Sequence, residues 1–147
     1  MLTVFSDTHF MQQALLEAKK GYEEGEIPVG AVVVSNNRII ARAHNQTERL
    51  QDVTAHAEML AVTAAASYMG GKYLDECTLY VTLEPCFMCA GALSWAQLGR
   101  LVYAAADERK GFMIHGKVVL HPKTTVAYGI LEEEARTLLQ QFFREKR

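Results

Sequence analysis

Four side chains in two short stretches have the types and the spacing of a metal-dependent active site. His56 and Glu58 stand two residues apart in the otherwise apolar stretch TAHAEML, and Cys86 and Cys89 stand three apart in TLEPCFMCAGA. Imidazole nitrogen and thiolate sulfur suit Zn²⁺, and three protein ligands leave a fourth position open for water, as a catalytic zinc requires. We therefore expect His56, Cys86 and Cys89 to bind zinc and Glu58 to accept the proton that the water loses.

The Cys-x-x-Cys pair by itself is also compatible with a redox pair or with two core residues. A thioredoxin-like redox pair follows a different β/α pattern and leaves His56 and Glu58 unexplained. Cys77 adds another alternative, because as a fourth ligand it would close the site into a structural zinc centre. We expect Cys77 to be a buried strand residue that acts as a small hydrophobe.

Both halves of this site fall at predicted helix starts. Apolar periodicity predicts helices over 56–68 and 86–97, with Pro85 at the first position of the second helix. Residues two apart point to different sides inside a regular helix, so His56 must lie at or just before the first turn if Glu58 is to reach the metal. The partial positive charge of a helix N-terminus also favours the thiolate form of both cysteines.

The remaining pattern predicts an α/β domain. Helices are predicted over 6–24 and 131–144, strands over 29–34, 38–43, 77–83 and 100–106, and a short strand in TTVAYGI. Asn36 and Asn37 tolerate positive φ and predict a tight hairpin between the first two strands, while 44–55 and 107–122 are predicted to be loops. Strands that alternate with helices after the hairpin predict a three-layer α/β/α sandwich around a mixed sheet of about five strands. The two helix starts would meet at one end of that sheet.

Composition is typical of a globular protein. The 147 residues suit a single domain over 1–147, with half of the residues hydrophobic and 22% charged. No apolar run approaches the roughly 18–20 residues that span a bilayer, and the N-terminus lacks the layout of a signal peptide, so we expect a cytoplasmic protein. Three Cys residues do not suggest a disulfide framework. The net charge of −2 gives no support to nucleic-acid binding, which must depend on a local patch to which Lys110, Lys117 and Lys123 could contribute.

His-x-Glu followed by Pro-Cys-x-x-Cys is the signature of zinc nucleobase deaminases. The chain resembles the cytidine-deaminase-like superfamily and, within it, the bacterial tRNA-specific adenosine deaminases, through EGEIPVGAVVV, HNQTE, TAHAEMLA, LYVTLEPCFMCAGAL, LHPKTTV and FFREKR. The resemblance implies hydrolytic deamination of adenosine to inosine at the wobble position of tRNA, with one zinc ion per subunit and Glu58 as the proton shuttle. It also implies a homodimer with the active sites near the interface.

The resemblance extends to substrate contacts. Asn45 matches the residue that holds the target base, and Ala57 would supply a backbone contact to that base. Phe142, Phe143 and Arg144 match a segment that helps to hold the anticodon stem-loop. This last segment has a second interpretation, because basic residues are favoured at any helix C-terminus and the Phe pair could simply dock the helix on the core.

Two positions depart from the family pattern. Val53 stands where Pro is usual before Thr-Ala-His, and Trp95 stands where many members have a smaller or polar residue. A Trp at that place also occurs in guanine deaminases of the superfamily, so a guanine deaminase, or another free-base or nucleoside deaminase with the same zinc site, is the alternative. A non-catalytic zinc-binding module is a second alternative, and it predicts a filled fourth zinc position and a dispensable Glu58.

Overall fold

A five-stranded mixed sheet lies at the centre of the computed structural model, which describes residues 5–146. The strands are β1 (Gly30–Ser35), β2 (Arg38–His44), β3 (Thr78–Leu83), β4 (Arg100–Ala105) and β5 (Thr125–Tyr128). Their order in the sheet is β2-β1-β3-β4-β5. β1 runs antiparallel to β2 and β3, whereas β3, β4 and β5 run parallel to one another. The predicted mixed sheet of about five strands is confirmed.

Helices cover both faces of this sheet. They are α1 (Asp7–Glu23), α2 (Ala57–Met69), α3 (Phe87–Trp95) and α4 (Glu132–Glu145), with two short 3₁₀ turns at Phe112–His115 and Lys117–Val119. The core on one face joins the sheet to α2 and α3, and the core on the other face joins it to α1 and to Ala135 of α4. The predicted three-layer α/β/α sandwich is therefore confirmed. No helix within 5–146 is both long and apolar enough to cross a membrane.

The apolar run AVVV in β1 follows from burial on both faces of the sheet. Ala31 and Val33 pack toward α2 and α3, whereas Val32 and Val34 pack toward α1. Successive side chains of a strand point to opposite faces, so a strand covered on both sides needs an uninterrupted apolar sequence.

The Pro-Val-Gly stretch lets α1 lie close to the start of β1. A Cβ atom at Gly30 would lie 2.1 Å from the carbonyl oxygen of Ala14, so only glycine fits there. The Gly30 N–H donates a hydrogen bond of 3.1 Å to Thr82 Oγ1. These contacts hold the beginning of β1 beside the end of β3, at the edge of the sheet where the candidate site lies.

Most predicted boundaries agree with the structure within two residues. Asn36 and Asn37 form the hairpin turn with φ of 52° and 60°, as predicted. The helix predicted over 86–97 is shorter and ends at Trp95. Gln97 adopts a φ of 55°, which a continuing helix does not permit.

Candidate active site

The candidate catalytic and metal-binding residues predicted from the sequence lie at one edge of the sheet. Gly30 at the start of β1 pairs with His44 at the end of β2, and Leu83 at the end of β3 lies beside Ala105 at the end of β4. The ends of β2, β3 and β4 therefore lie beside the start of β1 at this edge. Helix α3 starts four residues after β3 ends, and α2 starts close enough to place His56 against Cys86.

The first two candidate zinc ligands are N-cap residues. His56 caps α2 with ψ of 153°, and Cys86 caps α3 with ψ of 173°, so both have extended backbones. Cys89 lies three residues into α3, on the same side as the cap. The requirement that His56 lie just before the first turn is met. The prediction that Pro85 is the first helical residue is wrong, because Cys86 remains extended and the helix begins only at Phe87.

The distances between these three side chains suit a tetrahedral zinc ion. His56 Nδ1 lies 3.7 Å from Cys86 Sγ and 3.4 Å from Cys89 Sγ, and all three donor atoms lie within 4.8 Å of one another. Zinc–sulfur and zinc–nitrogen bonds of about 2.3 and 2.0 Å at tetrahedral angles give a nitrogen–sulfur separation of about 3.5 Å. One nitrogen and two sulfurs are also the donors that zinc prefers, so the site fits zinc.

Cys77 is not part of this cluster in the described chain, 5–146. It is buried in the core beneath α2 and α3, just before β3 begins, whereas Cys86 follows the end of that strand. The six residues of β3 separate the two cysteines by about 20 Å. The expectation that Cys77 is a small core hydrophobe agrees with this position.

Local hydrogen bonding favours the thiolate at Cys86 but opposes it at Cys89, where the contact with Cys86 and burial raise the pKa. The hydrogen bond from Cys89, with a further one from His56, lowers the pKa of the Cys86 thiol to about 3. The same contact with Cys86 raises the pKa of His56, and the backbone of Val53 adds to that effect. The lowered pKa favours the thiolate form of Cys86, which is the form of cysteine that binds metals.

Glu58 is a buried carboxyl group beside the ligands. It is the second residue of α2, its side chain lies at the surface of the cavity, and it is only 4% exposed. Burial raises the pKa of Glu58 to about 7. A carboxyl group with a pKa near neutrality can both accept and return a proton at neutral pH.

The cluster opens into a cavity of about 1070 Å³. This volume lies at the upper end of the range for small-molecule pockets, which is about 300–1,000 Å³. Its base contains His56, Glu58 and Cys86. Two loops form the sides, and the cavity-lining residues that they contribute are Thr47, Glu48, Gln51, Asp52, Val53, Ala106, Asp107, Glu108, Arg109 and Lys110.

Asn45 and Ala57 are joined by a hydrogen bond. The Ala57 N–H donates to Asn45 Oδ1 at 2.8 Å, and both residues are buried. Asn45 lines the cavity, so its amide nitrogen is the group that it can offer to a ligand. The backbone N–H of Ala57 already donates to Asn45, so this N–H is not free to make the predicted backbone contact with a base.

The three residues of α4 with predicted substrate contacts lie in different surroundings. Phe143 lines the cavity and is 50% exposed, as a contact residue requires. Phe142 is buried, with its ring centroid 5.8 Å from that of Tyr22, so it docks α4 on α1. Arg144 is exposed and is not among the described residues that line the cavity.

The two departures from the family pattern lie outside the ligand cluster. Val53 is 85% exposed on one side of the cavity. A hydrogen bond with its backbone helps to raise the pKa of His56. Trp95 is the last residue of α3 and is 86% exposed, about 12 Å along the helix from its N-terminus. Among the described residues, Trp95 is not one that lines the cavity of its own chain.

Sequence reasoning missed several residues of this cavity. Arg109 and Arg136 line it together with Lys110, which was predicted, whereas Lys117 and Lys123 are not among the described residues that do so. Glu84 also lines it, although its place in the Glu-Pro-Cys stretch was a signal that could have identified it. A carboxylate next to a strand end and two residues before a ligand needs a buried partner or a reason to face the site.

The fold and the site define a zinc-dependent deaminase. Residues 5–105 match the family described as the cytidine and deoxycytidylate deaminase zinc-binding region. That stretch holds all three donor residues and Glu58, so the family match and the geometry concern the same site. The chain therefore belongs to this family of zinc-binding deaminases.

The relatives indicate a particular branch of the family. A protein of Agrobacterium fabrum named tRNA-specific adenosine deaminase is 46% identical over 145 residues, which are 95% of each chain. A solved structure from a study of A-to-I editing by tRNA:A34 deaminases has a TM-score of 0.84 and 42% identity, over 90% of this chain and 99% of the other. A guanine deaminase from Bacillus subtilis has a TM-score of 0.65 and 36% identity over 74% of each chain. The predicted resemblance to tRNA-specific adenosine deaminases is confirmed.

Proposed function

We propose that the chain catalyses the hydrolytic deamination of adenosine to inosine at the wobble position of tRNA. One observation carries this proposal: the three candidate zinc ligands cluster beside buried Glu58, and His56, Cys86 and Glu58 line a cavity of about 1070 Å³. Near full-length similarity to a protein named tRNA-specific adenosine deaminase supports the choice of substrate. Each chain, residues 1–147, would act as a single deaminase domain.

The proposed mechanism assigns a role to each side chain at the base of the cavity. His56, Cys86 and Cys89 would hold zinc, which would supply a water molecule with a pKa lowered toward neutrality. Glu58 would accept a proton from that water, and the oxygen would add to carbon 6 of adenine. Glu58 would then deliver that proton to ring nitrogen 1, take the remaining proton from the added hydroxyl group and pass it to the departing amino group, so that one water is consumed and one ammonia is released. The amide nitrogen of Asn45 donates to the base.

The RNA contacts are proposed for residues around the opening of the cavity. Phe143 offers an aromatic face on which a base can stack. Arg109, Lys110 and Arg136 supply positive charge for phosphates of the anticodon stem-loop. Arg144, on the exposed side of α4, would contact RNA farther from the target base. This local positive charge is needed because the whole chain has a net charge of −2. We place the reaction in the cytoplasm, where mature tRNA is used in translation.

A paired deamination assay tests this function. Zinc-loaded protein is given an anticodon stem-loop with adenosine at the wobble position and, separately, free guanine. We expect inosine in the RNA and no xanthine. Xanthine without inosine would assign the chain to the guanine branch, and the absence of both products from protein that contains zinc would support a non-catalytic zinc module.

We also propose that two copies associate through the face formed by α3 and the neighbouring 3₁₀ turns. Trp95 and Val118 are 86% and 87% exposed, and Phe87 packs edge-on against His115 at a centroid distance of 5.1 Å. An apolar surface of this kind favours an interface with a second copy.

Sedimentation of charged variants tests the dimer. Trp95→Glu and Val118→Glu should each convert a dimer to a monomer, because each places a charge in the proposed interface. Leu16→Glu is the matched control, since Leu16 is 48% exposed on α1, which packs on the opposite face of the sheet. Dimers that persist in both interface variants, or dissociate only in Leu16→Glu, would contradict the proposed interface.

A further inference from the structure

Two buried carboxylates hold the loops on either side of the cavity. Glu26 is 1% exposed and Glu84 is 5% exposed, so both side chains are almost wholly removed from water. Burial of a carboxylate is costly unless hydrogen bonds replace its lost hydration. The hydrogen-bond donors to both side chains lie largely on the backbones of the two loops, and neither carboxylate has a part in the proposed proton transfers.

Glu84 binds both ends of the loop that follows β4. The Asp107 N–H donates to Glu84 Oε1 at 2.9 Å, and the Met113 N–H donates to Glu84 Oε2 at 2.9 Å. A Cβ atom at Gly111 would lie 2.2 Å from Oε2, so glycine is required where the loop passes the carboxylate. The 107–113 loop is thus held against the segment that carries Cys86, which itself forms a β-bridge with Gly111.

The hydrogen bond from Asp107 to Glu84 also shapes the part of this loop that carries the basic residues Arg109 and Lys110. Asp107 Oδ1 accepts hydrogen bonds of 3.1 Å from the N–H groups of both Arg109 and Lys110. Glu84 therefore fixes the backbone of Asp107, and Asp107 fixes the turn that presents the two cationic side chains to the cavity.

Glu26 acts in the same way on the loop that joins Asn45 to His56. The Glu48 N–H donates to Glu26 Oε1 at 3.1 Å, and the Arg49 N–H donates to Oε2 at 2.8 Å. Thr47 Oγ1 lies at the limit of a hydrogen bond, 3.5 Å from Oε1. The two loops follow β2 and β4, which β1 and β3 separate by about 14 Å, so the carboxylates act on opposite sides of the cavity.

We propose that Glu26 and Glu84 are positioning residues that hold the two cavity loops in the form that receives the anticodon stem-loop. The proposal rests on the proposed function for the identity of the RNA. Neither carboxylate touches the reacting atoms, so each affects binding of the RNA more than the chemical step. Replacement of one oxygen by an amide NH₂ leaves one loop N–H facing another donor, which releases that part of the loop.

Amide exchange and steady-state kinetics of three matched variants test this proposal. In Glu84→Gln, hydrogen exchange at the amides of Asp107 and Met113 should accelerate about tenfold, and in Glu26→Gln the same should occur at Glu48 and Arg49. KM for the stem-loop should rise about tenfold in both variants while kcat stays within about threefold and zinc content is unchanged. Glu17→Gln is the control, because Glu17 is equally buried but contacts Lys20 and His44.

The outcomes separate a positioning role from a general structural one. A lower melting temperature in all three variants, with no local exchange effect and an unchanged KM, would overturn the proposal. A fall in kcat at constant KM would also overturn it, because the carboxylates would then act on the chemical step. The exchange result decides whether the loops are held even if wild-type protein leaves the RNA unedited, which would refute the proposed function separately.

A second variant covers the case in which Glu84→Gln does not fold. Asp107→Ala leaves the buried carboxylate intact and removes one negative charge from the edge of the cavity. Charge alone predicts tighter RNA binding, whereas the positioning proposal predicts a KM about fivefold higher, because the turn at Arg109 and Lys110 is released. An unchanged or lower KM would therefore contradict the proposal.

Discussion

We propose that each side chain at the base of the cavity has a chemical task set by its position in a helix. His56 and Cys86 cap α2 and α3 with extended backbones, so both side chains project beyond the helix ends toward the same point. Glu58 comes two residues after a cap, where its side chain can turn back toward the ligands and remain buried. The spacing His-x-Glu therefore works only at a helix N-terminus.

Asn45 provides a prediction at the scale of one residue. Asn45→Asp retains the oxygen that accepts from the Ala57 N–H but loses the amide donor that we assign to the base. Its kcat/KM for the stem-loop should fall about ten- to thirtyfold, with a melting temperature close to that of wild type. Asn45→Ala loses both groups, so it should also lose about 1–2 kcal/mol of unfolding free energy, because a buried N–H is left unpaired. Wild-type kcat/KM in Asn45→Asp would refute the assigned contact.

At the scale of elements, α4 places two neighbouring aromatic side chains in different surroundings. Phe142 packs on α1, and its neighbour Phe143 points into the cavity. The two interpretations offered for the Phe pair, core docking and RNA contact, are thus divided between the two residues. Phe142 corresponds to the first, and we propose the second for Phe143.

Alanine substitutions should separate these roles. Phe142→Ala should lower the free energy of unfolding by about 3 kcal/mol, because it deletes a buried aromatic ring. Phe143→Ala should change stability by less than about 0.5 kcal/mol but weaken binding of the stem-loop about tenfold through loss of base stacking. Denaturant unfolding and fluorescence anisotropy measure the two effects. Equal effects of both substitutions on RNA affinity would contradict this division.

The sequence predicted the elements better than the loops. Periodicity located the four α-helices and five strands of the described chain but not the two 3₁₀ turns, which lie in the predicted loop 107–122. The paired Asn36–Asn37 turn was predictable because few residues tolerate positive φ. The clustering of the three candidate ligands was predictable because His, Cys and Cys at these spacings have few other uses. The roles of Glu26 and Glu84 depend on contacts with backbone N–H groups 22 to 29 residues away, and no local pattern encodes such contacts.

At the scale of the whole molecule, the two ends of the sheet serve different purposes. The ends of β2, β3 and β4 carry the site, whereas the opposite end carries an ion pair that joins α1 to β4. Asp7 accepts two hydrogen bonds of 2.8 Å from the guanidinium group of Arg100 and one of 2.6 Å from Tyr80 Oη. This contact ties together segments 93 residues apart.

The contribution of the ion pair between Asp7 and Arg100 should be measurable in the pH dependence of stability. The hydrogen bonds from Arg100 hold the pKa of Asp7 below its ordinary value of 3.8. The stabilisation is therefore complete well above pH 3.8 and is lost as the pH falls below that value through the folded-state pKa. Because both side chains are about one-third exposed, Asp7→Asn should cost only about 1 kcal/mol at neutral pH and almost nothing in strong acid.

A control variant completes this experiment. Glu132→Gln removes the exposed pair with Arg136 within α4, which should contribute less than about 0.5 kcal/mol at any pH. Asp7→Asn should keep wild-type kcat, because the ion pair lies at the end of the sheet opposite the site. A stability difference between Asp7→Asn and wild type that grows as the pH falls would contradict a lowered pKa for Asp7 in the folded protein.

The most direct test of the proposed mechanism is editing by Glu58→Gln. Zinc-loaded wild type, Glu58→Gln and the control Glu108→Gln, whose exposed carboxylate lines the same cavity, are each assayed with saturating anticodon stem-loop, and zinc is quantified in each. We expect one zinc per chain in all three, a kcat for Glu58→Gln lower by about 10²–10⁴-fold, and a nearly unchanged kcat for Glu108→Gln. Full turnover by zinc-loaded Glu58→Gln would contradict the assignment of Glu58 as the proton shuttle, and with it the mechanism proposed for this site.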